Sequence, residues 1–182
     1  TKRGYNFTPQ AVTTEKSSNG NNVSGNRWEV DFVEPSASAL KDFETGDFSK
    51  FSWEHGGAAG WTIASQQKHS GTYSANAGAG EINDDESSVL KVTLVCMSGY
   101  ISFWHKVSSE SSCDYLKFYI DGVKKGRWSG RKDWTEMSFG VTSGIRTFEW
   151  AYSKNGSNYE GEDTVWIDDI EFPVATIPQA RL

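Results

Sequence analysis

The sequence predicts an all-β fold, a two-sheet antiparallel jelly-roll β-sandwich preceded by an extended N-terminal arm. Three observations lead there. Short runs rich in β-branched and aromatic residues recur at regular spacing, turn residues separate almost all of them, and no segment sustains a helical period. The 18 Gly, eight Trp and only four Pro suit many short strands joined by turns. At 182 residues the chain can form one domain with a substantial core, burying roughly 70% of its unfolded surface.

Residues 1–38 read as an arm or linker, polar apart from one strand near 27–33 in which Trp28, Val30 and Phe32 alternate with polar neighbours. The module itself spans 39–174, and 175–182 form a tail. Leu40–Glu44 is its first expected strand, followed by a turn at Gly46, the aromatic-rich Phe48–Trp53 and the glycine-rich Gly56–Gly60. Short strands at Trp61–Ala64 and Thr72–Ala75 flank the Ser70-Gly71 turn, and an acidic loop, Gly80–Glu86, leads to a strand at Ser88–Val95. Strands follow at Tyr100–Val107, Tyr115–Ile120, Val123–Trp128, Thr135–Val141, Arg146–Tyr152 and Thr164–Phe172, with Asp121-Gly122 the clearest hairpin signal. Ile101, Phe103 and Val107, then Leu116, Phe118 and Ile120, then Phe148, Trp150 and Tyr152, fall on single sides of their strands. They are assigned to the core, each contributing about 1.5–3 kcal/mol on burial.

Composition narrows the function. Eighteen basic against 24 acidic residues give a net charge of −6, which argues against a nucleic-acid binder. No apolar run approaches the ~20 residues of a membrane span, so membrane insertion is not expected. A start at Thr1 without a signal-peptide pattern reads as a piece excised or processed from a larger polypeptide with flanking domains. Cys96 and Cys113 fall near opposite ends of a hairpin expected between Tyr100–Val107 and Tyr115–Ile120. A strand of that length spans about 20 Å, beyond disulfide reach, so two free thiols are expected.

The most informative stretch is Thr164–Phe172, a strand-like run with two adjacent carboxylates, Asp168 and Asp169, at its middle. Alternation sends one of them to the packed face, where a carboxylate needs several donors or a cation. Amides of a nearby loop are one solution, and a hard cation is the other. Asp42 and Glu44, two residues apart, aim the same way on a strand. If the first and last strands pair, these carboxylates share a Ca²⁺ ion with Asp168 or Asp169, and carbonyls of the Lys68–Gly71 turn complete its oxygen shell. The loop Asn83–Glu86 lacks EF-hand spacing and reads as a solvated turn.

Two surfaces stand out for binding. Tyr100, Trp104 and Lys106 share one side of their strand, and Tyr115, Lys117 and Tyr119 one side of the expected hairpin partner. Together they make an aromatic face suited to sugar rings or to a protein hot spot. The competing reading packs this face under the arm or the second sheet and makes Trp104 core. Lys124, Lys125, Arg127, Arg131 and Lys132 cluster around Trp128, as a polyanion site for sulfated glycans or as a solvated hairpin edge. Catalysis is not expected. His55, His69 and His105 lack metalloprotease spacing, no nucleophile elbow exists, and consecutive aspartates on opposite faces cannot flank one glycosidic bond.

The ordered series Asp42-Phe-Glu44, Gly60-Trp61, Ser70-Gly71, Ile101-Ser-Phe-Trp104, Trp134, Phe148 and Asp168-Asp-Ile170 resembles the MAM domains of extracellular adhesive proteins. It equally resembles the cleaved-adhesin domains of bacterial gingipains and similar modules of secreted bacterial proteins. The resemblance runs from about Leu40 to Pro173. It implies a MAM/concanavalin-like jelly roll, no catalysis, a secreted or cell-surface location, and a role in adhesion or carbohydrate binding. It also implies a structural calcium-like ion, carried over to Asp42, Glu44 and the Asp168/Asp169 pair. The cysteine set of animal MAM domains is missing, and Phe103–Ser109 is phrased more like the bacterial modules. The expected function is therefore a non-catalytic module of a larger protein, adhering to a host or matrix protein. The alternatives are a carbohydrate-binding module serving a neighbouring enzyme and a structural spacer.

Overall fold

The structure, a computed structural model, describes residues 43–78, 82–156 and 160–174, all within the compact unit Pro35–Thr176. The expected arm and its strand near 27–33, Asp42, and the tail 175–182 lie outside the described residues. Ten strands form: β1 (Glu54–Gly57), β2 (Thr62–Ala64), β3 (Ser74–Asn76), β4 (Ser87–Cys96), β5 (Gly99–Ser108), β6 (Tyr115–Ile120), β7 (Val123–Trp128), β8 (Arg131–Val141), β9 (Gly144–Ser153) and β10 (Thr164–Glu171). They build two antiparallel five-stranded sheets, ordered β1-β4-β9-β6-β7 and β2-β3-β10-β5-β8.

Strand periodicity explains how the sheets close on each other. Along β5 and β6 every second residue is buried, so Ile101, Phe103, Leu116 and Phe118 meet between the sheets with Leu90, Val92, Phe148, Trp150 and Ile167. Aromatic rings carry much of this core: Phe103 lies 4.8 Å from Phe118, and Phe118 lies 5.0 Å from Trp150, spacings that favour tilted and edge contacts. β10 sits between β3 and β5, and seven of its eight residues are buried or half-buried. A central strand covered on both faces is why its sequence reads as nearly continuous apolar residues around the aspartates.

The structure corrects two expected pairings. β5 and β6 are not a hairpin, because they belong to opposite sheets and the chain crosses between them. β6 instead pairs with β7 and β9, while β5 pairs with β8 and β10. Phe43–Glu44 lies in a turn, and the partners of the last strand are β3 and β5. Both cysteines are free thiols, Cys96 being buried on β4. An unexpected strand, β1, uses the Gly56-Gly57 segment and pairs with β4.

Candidate functional site: one sheet face, one turn and one cleft

Asp169 departs from regular strand geometry. Its φ of 45° is left-handed, a conformation that aspartate tolerates better than most residues. The register of β10 against β5 shifts between Asp168 and Glu171, as at a β-bulge. Alternation breaks there, so the consecutive carboxylates do not part to opposite faces as expected. Both land on the turn between β2 and β3. Asp168 Oδ2 accepts the amides of His69 (2.7 Å) and Ser70 (3.2 Å), and its Oδ1 accepts that of Asp169 (2.7 Å). Asp169 accepts the Ser70 hydroxyl at 2.8 Å and lies 2.7 Å from His69 Nδ1. Glu44 docks on the same turn, accepting the amides of Thr72 (3.0 Å) and Tyr73 (3.1 Å). Gly71 makes room for it: φ is +61°, and a Cβ there would collide with the Glu44 carboxylate. The two ends of the module thus meet through a third segment rather than by pairing.

These carboxylates are hard oxygen donors, and Glu44 and Asp168 form no ion pair with a Lys or Arg among the described residues. Burial pushes the Asp168 carboxyl up, against the opposing pull of its three amide donors. Among the described residues no three His, Cys, Asp or Glu side chains converge as a metal-binding group. The turn meets Asp168 and Glu44 with its backbone amides, the loop-amide solution open in the sequence, while in kind the two carboxylates are hard oxygen ligands that would suit calcium.

Trp104 is not core, and one face of its ring is taken by a neighbour. It is half-buried on the outer side of β5, opposite Asp168 on β10 and Glu136 on β8. His69 stacks on it, ring centroids 3.6 Å apart and planes 11° from parallel, while Trp134 lies 6.0 Å from His69 at 61°. Held by Asp169, His69 fixes the tryptophan's orientation. The sequence singled out His69 only for lacking metalloprotease spacing and so missed this; its place just before Ser70-Gly71 was the available signal. Tyr100, 72% exposed, extends the same outer row.

Beside these rings an open cleft of about 630 Å³ is lined by Lys106, Val107, Ser108, Arg131, Lys132, Asp133, Gly161 and Glu162. Lys106 pairs loosely with Asp133 at 3.5 Å. The register shift between His105 and Val107 opposite β8 marks a bulge at the cleft. Bulges of this kind re-aim side chains.

Tyr115, Lys117 and Tyr119 do not share a face with Trp104 and Tyr100 as expected. They lie on the outer side of the other sheet, because β6 does. There two of them have neighbouring partners: Arg127 covers the Tyr115 ring at 4.9 Å, and Lys117 donates to the Ser153 hydroxyl at 2.7 Å. Burial and the neighbouring charges of Lys124 and Arg127 hold the Lys117 ammonium below its usual range. The basic cluster divides too, with Lys124, Lys125 and Arg127 on β7 and Arg131 and Lys132 on β8. Trp128 does not stack beside the charges. It turns inward, 4.4 Å from the fully buried His105.

At one end of the sandwich the loops are tied by Lys154, whose side chain is 1% exposed. It bonds Asp163 at 2.5 Å and the Ile82 carbonyl at 3.3 Å, with Asp84 at 3.5 Å. Asp84 is therefore no plain solvated turn residue; its partner lies far along the chain, which no local pattern could show. Tyr152 donates to Asp163 at 3.0 Å, and burial pushes its phenol up. Asp114 is buried beside them, accepts the Asn155 amide at 2.8 Å, and is held above the usual carboxylate range by burial.

No protein-family model matches the sequence, and no curated protein matches it. Solved structures do. A family 61 carbohydrate-binding module in complex with β-1,4-galactotriose is 19% identical, with 72% of this chain and 92% of that one covered and a TM-score of 0.51. A structure described for the promiscuous specificity of carbohydrate-binding modules of the β-sandwich superfamily is 12% identical, with coverages of 72% and 60% and a TM-score of 0.51. The chain has the β-sandwich fold of these modules. A cleaved adhesin domain of Lys-gingipain from Porphyromonas gingivalis is also similar, at 13% identity, coverages of 69% and 92%, and a TM-score of 0.49. Identities this low speak to fold. The ligand has to be argued from the side chains.

Proposed function

We propose that the chain is a non-catalytic, extracellular binding module that takes a glycan on the outer face of the β2-β3-β10-β5-β8 sheet. The observation that carries this reading is the fixed ring assembly of His69, Trp104 and Trp134 beside an open cleft. Sugar rings offer apolar C–H faces that stack on aromatic rings, and a ring already held in place loses little freedom on binding. Tyr100 and Trp104 carry the stacking, with Ser102 between them as a hydroxyl partner. Titration calorimetry with neutral oligosaccharides is the test, starting with β-1,4-galactotriose, the ligand of one similar structure. Trp104→Ala abolishes binding while circular dichroism stays unchanged. Equal binding by the variant sinks the reading. Adhesion to a host or matrix protein rests on the resemblance of the ordered motifs alone, and silence on glycans with firm binding to matrix proteins moves the assignment there.

A calcium ion at Glu44 and Asp168 belongs to the same proposal, with Asp42 as a further ligand. What supports it is that Glu44 and the buried Asp168 dock on one turn, with no Lys or Arg paired to either among the described residues. Its role is structural: it would tie Glu44 to β10, beside Trp104.

A further inference from the structure

We infer that the cleft beside the aromatic rings recognises a carboxylate on the bound sugar, so that the preferred ligand is a polysaccharide containing uronic acid. This rests on the glycan-binding reading above and names its substrate class. Three cations, Lys106, Arg131 and Lys132, line the cleft against two carboxylates, Asp133 and Glu162. That local excess runs against the −6 net charge of the whole chain.

The cations differ in how they are held. Lys106 is anchored, its side chain only 24% exposed, whereas its partner Asp133 is 88% exposed and 3.5 Å away. A carboxylate already rests on Lys106, and it is one that swings into solvent with little loss, because exposed ion pairs contribute little. A ligand carboxylate takes its place. Arg131 and Lys132 are exposed at the rim, and Arg131 supplies a planar fork matched to a carboxylate. The opposite wall is closely built: Glu162 donates its amide to Ser108 Oγ at 2.8 Å, and Gly161 (φ +75°) lies so near Ser108 that a Cβ would strike the hydroxyl.

Placement along the strands points the same way. Lys106 is two residues from Trp104 on the same side of β5, roughly 7 Å along a strand, and Asp133 adjoins Trp134 in β8. A chain stacked on Trp104 therefore places its next ring over the cleft. About 630 Å³ is enough for such a ring.

The test compares wild type, Lys106→Ala/Arg131→Ala and Trp104→Ala by calorimetry on oligogalacturonate, neutral β-1,4-galacto-oligosaccharide and carrageenan, a sulfated galactan without uronic acid. Wild type is expected to bind oligogalacturonate more tightly than the neutral chain, with the advantage shrinking at high salt. The double variant loses about tenfold or more on oligogalacturonate and much less on the neutral chain. Equal affinity of wild type for acidic and neutral chains overturns the inference and leaves the aromatic face standing. The inference is likewise overturned if the double variant weakens both equally, or if the sulfated polymer binds in preference to oligogalacturonate. Failure of every glycan overturns the binding reading itself.

Discussion

Lys154 and His105 are the two buried ionisable residues whose neighbours make sharp claims. Removing Lys154 leaves Asp163 and Asp84 without the cation that faces them. Uncompensated buried charge is expensive, so Lys154→Met is expected to lose about 3–5 kcal/mol in denaturant unfolding, more than a typical surface substitution. His105 is fully buried on β5, and burial pulls its imidazole down to about 4, with Lys132 acting the same way and the Thr135 backbone opposing. The folded protein then binds fewer protons than the unfolded chain between about 4 and 6.5. Stability from this residue is present above pH 6.5 and is lost as pH falls toward 4, by an amount on the order of 3 kcal/mol. His105→Phe should flatten that part of a melting-temperature profile; an unchanged slope would contradict the assignment. Asp114 acts in the opposite sense, since its raised value favours the folded state as pH drops through it.

Among the elements, the β2–β3 turn matters most, and its glycine gives the cleanest comparison. Gly71 and Gly122 both have positive φ, but a Cβ at Gly122 meets nothing within 4 Å, whereas at Gly71 it strikes Glu44. Alanine at 122 reports backbone strain alone, about 1–2 kcal/mol. Alanine at 71 adds the eviction of Glu44 from the Thr72 and Tyr73 amides, so its unfolding midpoint should imply at least about 2 kcal/mol more loss. This turn also shows where sequence reasoning stops. Nine of the ten strands were legible, because alternation and turn residues are local signals. β1 was hidden by Gly56-Gly57, and the Asp169 bulge by the assumption of regular alternation. The false hairpin between β5 and β6 came from treating neighbours in sequence as neighbours in a sheet.

Across the whole molecule, the core and fold class followed from pattern, while the site did not. Trp104 and Tyr100 were singled out correctly as one outer row, yet their grouping with Tyr115 and Tyr119 failed because sheet membership is a long-range property. His69 and Trp134 completed the ring assembly only once the turn had folded over β10. The proposed calcium acts at this scale as well, by joining the start of the module to its last strand. Scanning calorimetry with chelator should show a large fall in melting temperature, restored by added Ca²⁺, because a ligand held only by the folded state stabilises it. A melt indifferent to both rules the ion out as a structural element.

Sugar binding on one particular sheet face is the central claim, and indole and backbone amide shifts in a two-dimensional nitrogen-proton spectrum report on it residue by residue. Titration with a bound oligosaccharide should move Trp104, Trp134, Tyr100 and their neighbours on β5 and β8, leaving Tyr115, Lys117 and Tyr119 still. Shifts confined to β6 and β7 would place the ligand on the other sheet and contradict it.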